Sequence, residues 1–308
     1  MKLDIFKCTN CESNKLDVKD KLLICPKCNS KFNNQHYPIF VKDAYTDSFG
    51  FQWNQFNKTQ LDSHNGLSLS KDRLFEITNW NKFLKGEDIL EVGSGSGRFT
   101  EVLAKTEANI CTFDSSSATL ANFNNNSRYQ NVNLFRADIK NIPINIKFDK
   151  ILCIGVLQHT PNIEYSIKSL KKFLKKDGEL VFDIYKKDLF YLFQWKYILR
   201  PFLKNVNRDK LFHLIKFLSK FLYYPSLFTY KFFKKINNRI YPVVYYHDKI
   251  RDKKLSIEFS TLDTFDMYTP KYDNPMSLKE IKKLLDKLDL RVLHLKYGQN
   301  GIICKVTL

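Results

Sequence analysis

From Asp88 to Tyr185 the chain repeats one pattern. Short apolar, β-branched runs at 88–93, 109–114, 131–136, 148–155 and 179–184 alternate with segments whose apolar residues recur at helical spacing. Strand alternating with helix implies right-handed crossovers and a mostly parallel sheet. In an open sheet of that kind, ligands bind at the carboxyl ends of the strands, near the point where strand order reverses.

Two later elements extend the pattern. In "SLKEIKKLLDKLD", Ser277 is followed three residues later by Glu280, a capping box that starts a helix. "RVLHLKYGQNGIICKVTL" then reads as two strands joined tightly at Gly298–Gly301, an antiparallel hairpin. With 308 residues the chain is long enough for one main domain with appendages. It divides into a Cys-paired module (1–37), an aromatic and polar helical or lid segment (38–85), a core (86–184), a basic aromatic insertion (185–275) and a helix plus hairpin completing the core (276–308). No stretch approaches the length of a membrane-spanning helix and the start lacks an apolar signal core, so the cytoplasm is the expected compartment.

The first strand ends in "DILEVGSGSGRF". A dinucleotide loop needs a third glycine where this chain has Arg98, and a phosphate-binding P-loop needs Gly-Lys-Ser/Thr where it has Gly97, Arg98 and Phe99. The remaining strand ends are "CTFDSS", "RADIKNIPI" and "FDKILCIGVLQHTPN". A carboxylate after the second strand suits a ribose diol, since it accepts hydrogen bonds from both hydroxyls.

These four motifs, in this order, resemble the class I S-adenosylmethionine-dependent methyltransferases over residues 86–184 and again over 277–308. The resemblance implies an α/β fold: a Rossmann-like seven-stranded methyltransferase sheet with a terminal hairpin, here carrying an N-terminal zinc ribbon and a helical insertion after strand five. It also implies an S-adenosylmethionine site. Glu91 and the backbone of Gly93, Ser94, Gly95 and Gly97 would face the methionine part, and Asp114 with Ser115 the ribose. Asp138 and Ile139 would face the adenine, and Gly155, Val156 and Gln158 the path of the methyl group. The glycines are expected to keep β-carbons out of the cofactor's way. The stretches "GFQWNQF" and "STLDTFDMYTPKYDNP" look similar to a bacterial subgroup that often carries small zinc modules and includes enzymes modifying surface sugars or other metabolites.

Four of the seven cysteines form two pairs, Cys8 with Cys11 and Cys25 with Cys28, each a Cys-x-x-Cys. Two thiolate knuckles supply the tetrahedral sulfur set that structural Zn²⁺ prefers, with no open coordination position. Cys111, Cys153 and Cys304 fall on expected strands and read as core residues.

Net charge is +18, and residues 185–254 hold 17 Lys and Arg against 4 Asp, together with 19 aromatic residues. Within this stretch "RDKLFHLIKFLSKFL" places Leu211, Leu214, Ile215, Leu218 and Leu222 on one helical face. Such a segment is a packed lid, a contact for the inner face of a membrane or a lipid-linked substrate, or a grip on RNA phosphates.

Methyl transfer to an alcohol or amine also requires proton removal. His159, after the fourth strand, is the first candidate base, with a pocket-shaping role as the alternative. Asp263 and Asp266 lie in a polar cluster with Tyr268, Tyr272 and Asp273, and either orient acceptor hydroxyls or cap turns. The favoured acceptor is a small molecule or glycan, methylated at oxygen or nitrogen. An RNA methyltransferase is the alternative enzyme, and a non-catalytic binding module with the same fold is the third reading.

Overall fold

Every apolar run between Asp88 and Ile184 forms a strand in the computed structural model, which describes residues 3–41, 46–187, 193–234 and 236–308. Three short strands, β1 (Asp17–Lys19), β2 (Leu22–Ile24) and β3 (Lys31–Asn33), make a small antiparallel sheet in the Cys-paired module. The main sheet comprises β4 (Asp88–Val92), β5 (Asn109–Asp114), β6 (Val132–Arg136), β7 (Phe148–Cys153), β8 (Leu174–Ile184), β9 (Arg291–Gly298) and β10 (Gly301–Thr307). Its order is β6-β5-β4-β7-β8-β10-β9. The first five strands are parallel, and β10 enters antiparallel between β8 and β9. Strand order reverses between β4 and β7, so a crevice opens there at the carboxyl ends.

Alternation along each strand feeds two cores. Leu90, Ile151, Phe182 and Cys304 pack on one face under the helices Ile163–Lys171 and Leu278–Lys287. Ile89, Leu152, Val181 and Ile303 pack on the other, against Leu69–Thr78 and Arg98–Ala104. The capping box is present, with Ser277 accepting from the Glu280 N–H and Glu280 accepting from Ser277. Cys111, Cys153 and Cys304 are buried core residues.

The sequence places a turn at Asp177–Gly178, whereas β8 begins at Leu174. The partners run Phe148 with Leu174 and then Lys150 with Glu179, so residues 175–178 bulge near the start of the strand without ending it. Lys175 holds the bulge by bridging Asp88 at 3.0 Å and Asp149 at 2.8 Å.

The Cys-paired module is seated on the main domain by Phe6, which is fully buried 5.2 Å edge-on to Phe135. Burying a phenylalanine contributes about 1.5–3 kcal/mol, enough to hold a small module in place. A backbone bond from Lys7 N–H to Pro143 reinforces it, as does one from Phe40 N–H, just beyond the module, to Arg136.

In the insertion, helices Trp195–Leu203, Arg208–Phe221 and Tyr223–Phe232 precede the longer Lys253–Tyr268. Leu211 and Ile215 pack on Phe265 and Tyr268, while Leu214 is exposed, so the single apolar stripe read from the sequence is divided between core and solvent. Among the described residues no helix is long and apolar enough to cross a membrane.

Candidate active site

A cavity of about 1070 Å³ opens at the carboxyl ends of β4, β5 and β7. Pockets for one drug-sized ligand are about 300–1,000 Å³, so this one has room for a nucleoside-sized cofactor beside a second molecule. Its floor is the loop after β4. Gly93, Gly95 and Gly97 have φ of 71, 53 and 89°, which side-chain-bearing residues rarely adopt. A β-carbon at Gly93 would lie 2.3 Å from Val156, and one at Gly97 2.2 Å from Asn122; at Gly95 it would press on Trp53 at 3.1 Å. The reason for the glycines is therefore backbone conformation and protein packing. The expectation that a β-carbon would point at the cofactor is corrected.

Asp114, at the end of β5, ties the loop down. One carboxylate oxygen accepts from Gly95 N–H at 2.9 Å and the other from the Ser116 N–H and hydroxyl, both at 2.7 Å. Asp114, Ser115, Ser94, Ile139, Gly155, Val156 and His159 all line the cavity. Four expected residues do not: Gly97 lies behind the loop against Asn122 and Asn126, and three more turn away. Glu91 is buried beneath the loop, where it accepts from Thr100 at 2.5 Å and Thr112 at 2.7 Å. Burial pushes its carboxyl up to about 7 against the pull of those hydroxyls. Asp138 turns aside to accept from Lys140 N–H at 2.8 Å and closes a local turn. Gln158 is fully buried behind the wall, and its carbonyl accepts from Asn274 N–H.

The opposite wall comes from elements remote in sequence: Phe49, Gln52 and Trp53 from the helix Asp47–Gln55, Tyr246 and the Lys253–Tyr268 helix from the insertion, and the turn at Gly298–Gly301. Asp263 and Asp266 face the cavity from that helix. Asp263 accepts from the Tyr246 hydroxyl and from Gln60 at 3.4 Å. Burial raises its carboxyl above the usual range. Burial, and next the Asp263 charge, push Asp266 up to about 7, against the pull of Lys196. Tyr268, expected in the same cluster, is buried away from the cavity and donates to Pro242 at 2.8 Å. Asp273 is committed to Lys196 at 2.7 Å, and Lys196 stands 3.9 Å over the Tyr185 ring.

His159 lies between Phe49 at 5.2 Å and Tyr185 at 5.4 Å. Its Nδ1 is 3.0 Å from the Tyr272 carbonyl, an acceptor, so Nδ1 carries the proton and Nε2 keeps the lone pair. Burial, and next the charge of Lys196, hold it down at about 4. It is neutral at pH 7 and a weak base. The Asp266 carboxyl, raised to about 7, lies nearer the neutral range than His159 does.

Arg98 lines the cavity 4.4 Å over the Phe99 ring. Among the described residues it makes no hydrogen bond or ion pair. Burial, and next the neighbouring Arg73, lower it to about 10, leaving it charged at neutral pH. Arg98 entered the sequence argument only as the residue that breaks a dinucleotide motif. Lys196 and Tyr246 carried no local signal at all, since only folding brings the insertion over the strand ends.

In the N-terminal module, the four Sγ atoms of Cys8, Cys11, Cys25 and Cys28 lie within 4.8 Å of one another. Cys8 to Cys28 and Cys11 to Cys25 are each 3.5 Å, close to the separation of about 3.8 Å expected around a tetrahedral Zn–S centre. Each knuckle closes by the same bond, from Glu12 N–H to Cys8 and from Asn29 N–H to Cys25, with Glu12 and Asn29 both at φ 57°. The cysteines therefore fit a structural zinc, which they would hold through all four sulfurs.

Residues 90–182 match the family described as methyltransferase domain. A tRNA U34 carboxymethyltransferase of Campylobacter fetus is 28% identical over 51% of this chain and 63% of its own length. A ubiquinone biosynthesis O-methyltransferase of Coxiella burnetii is 33% identical over 32% of this chain and 44% of its own. The chain thus spans less than two thirds of either relative. A solved S-adenosylmethionine-dependent methyltransferase from Clostridium acetobutylicum superposes with a TM-score of 0.44 at 17% identity, covering 85% of this chain and 98% of its own. Residues 90–182 thus form a methyltransferase domain, set within the seven-stranded sheet of the order described above.

Proposed function

We propose that the protein transfers a methyl group from S-adenosylmethionine to an oxygen or nitrogen of a small, hydroxyl-bearing metabolite or glycan. The observation that carries this is the pairing of two unlike walls around one cavity: the glycine loop with Asp114 on one side, and half-buried Asp263 and Asp266 on the other. When bound, the cofactor supplies an electrophilic methyl group. Asp114 and Ser115 would hold its ribose, Ala137 and Ile139 its base, and Arg98 the carboxylate of its methionine end. Asp266 takes the acceptor's proton, Asp263 orients a neighbouring hydroxyl, and His159 shapes the wall as a neutral ring. The cysteine module holds one structural zinc.

The curated relative acting on tRNA favours a second reading, an RNA acceptor. Against it stands the acceptor wall itself, where Asp263 and Asp266 offer a phosphate backbone no cation, whereas RNA enzymes need several Lys and Arg contacts. Labelled cofactor, offered with total RNA and separately with an RNA-free cell extract, tests the choice. Label in the RNA-free fraction is expected, and salt-sensitive label in RNA alone would reverse it. Elemental analysis is expected to find one zinc per chain, lost in Cys25→Ser.

A further inference from the structure

Among the described residues 21 large hydrophobic side chains are exposed, and thirteen of them fall between Phe193 and Ile240. Elsewhere such residues are few and, apart from Val292, Leu293 and Tyr297 on β9, scattered singly, which is ordinary for a protein surface. Here they form second stripes on helices that already bury a first one. On Arg208–Phe221, Leu211 and Ile215 point inward while Leu214, Phe217 and Phe221 recur on an adjoining flank, the two rings stacked at 5.9 Å and 61 and 66% exposed. On Tyr223–Phe232, Tyr224, Phe228 and Phe232 line up at every fourth residue, with Phe228 and Phe232 5.4 Å apart. On Trp195–Leu203, Ile198 and Phe202 do the same, and Phe202 is 75% exposed. The cations of this stretch are exposed too: Lys204, Arg208, Lys210, Lys216 and Lys220 surround a single acid, Asp209.

We infer that residues 193–240 dock the protein onto an anionic lipid bilayer, lying in the interface with the phenylalanines among the acyl chains and the lysines at the headgroups. Helices with an apolar stripe, aromatic residues and flanking Lys or Arg bind membranes in this way, by buried area and attraction to anionic lipid together. A second copy of the same face fits worse, because a two-fold contact would bring its lysines against each other without acids to answer them. RNA fits worse as well: bases stack on aromatic rings, but Ile198, Leu214, Ile236 and Ile240 offer no ring to stack on. The buried side of the same helical layer supplies the cavity wall, through Lys196 and Tyr197 and through Asp263 and Asp266, so docking would hold the site beside the membrane surface. The inference stands on surface observations and is independent of the acceptor proposed above.

Flotation of the full chain with phosphatidylcholine vesicles, with and without phosphatidylglycerol, tests it. Binding is expected only to the vesicles containing phosphatidylglycerol, falling as salt is raised. The triple variant Phe217→Ser, Phe221→Ser, Phe228→Ser changes only exposed side chains, so it should keep its melting temperature and partition more weakly by about tenfold or more. The pair Lys216→Glu, Lys220→Glu should lose the preference for anionic lipid by a second route. Absence of wild-type flotation with anionic vesicles overturns the inference, as does unchanged flotation of the phenylalanine variant. So does a wild type that leaves vesicles unbound while the phenylalanine variant turns a dimer into a monomer, or releases bound RNA; the face then belongs to that partner.

Discussion

The two walls of the cavity are built on opposite principles. On the strand-end wall the charged group is satisfied by the protein: Asp114 accepts three hydrogen bonds from the glycine loop and the turn behind it. On the insertion wall burial outruns pairing. Asp263 and Asp266 are raised, and Lys196 is lowered despite its bond to Asp273. A satisfied wall is rigid and suits binding a constant ligand. A wall with unspent electrostatic free energy suits proton transfer, since catalytic groups need proton affinities near the working pH.

The largest expected difference between the walls is in turnover. Asp266→Asn should lower kcat by about 10²–10⁴ with little change in cofactor affinity, as for loss of a general base. Equal losses in both quantities would show that Asp266 is structural. Next, Asp114→Ala should weaken cofactor binding measured by calorimetry by about 1.5–3 kcal/mol, the worth of hydrogen bonds to a charged group, while leaving the pH profile in place.

The pH profile itself separates Asp266 from His159. Activity should rise as pH passes about 7, because Asp266 must lose its proton to accept another, and Asp266→Asn should remove that limb. A limb near pH 4 instead would assign the base to His159.

Glu91 gives the smallest effect. Its carboxyl is raised to about 7 in the fold, so the folded chain binds more protons than the unfolded one from the ordinary carboxylate range up to about 7. The stabilisation is fully present below that range and lost as pH rises toward 7. Thermal melts of wild type should therefore fall modestly between pH 5 and 8, and Glu91→Gln should flatten that fall.

Much of the first wall was legible locally. The glycine loop and Asp114 sit at the ends of apolar runs whose length and alternation already mark them as strands, and both line the cavity. The cysteine pairs were equally plain, because a knuckle is a four-residue object whose spacing carries its geometry. Glu91, Asp138 and Gln158 went astray for one reason. Their positions follow the motif, but the direction of a side chain depends on which neighbour claims it: Thr100 and Thr112, the Lys140 amide, and a buried space behind the wall.

The second wall was legible only as a list of residue types. "TLDTFD" shows two carboxylates three apart, hence one helical face, but not that the face lines a cavity shared with Arg98. Apolar periodicity, turn chemistry and ligand spacing act over a few residues, and they were sufficient to set the strands, the terminal hairpin, the capped helix and the metal knuckles. Burial of ionisable groups, the meeting of Lys196 with Asp273 across 77 positions, and the division of the insertion's apolar residues between core and surface depend on contacts remote in sequence. Those contacts set the local dielectric and the charge neighbours, and so the proton affinities on which the proposed chemistry rests.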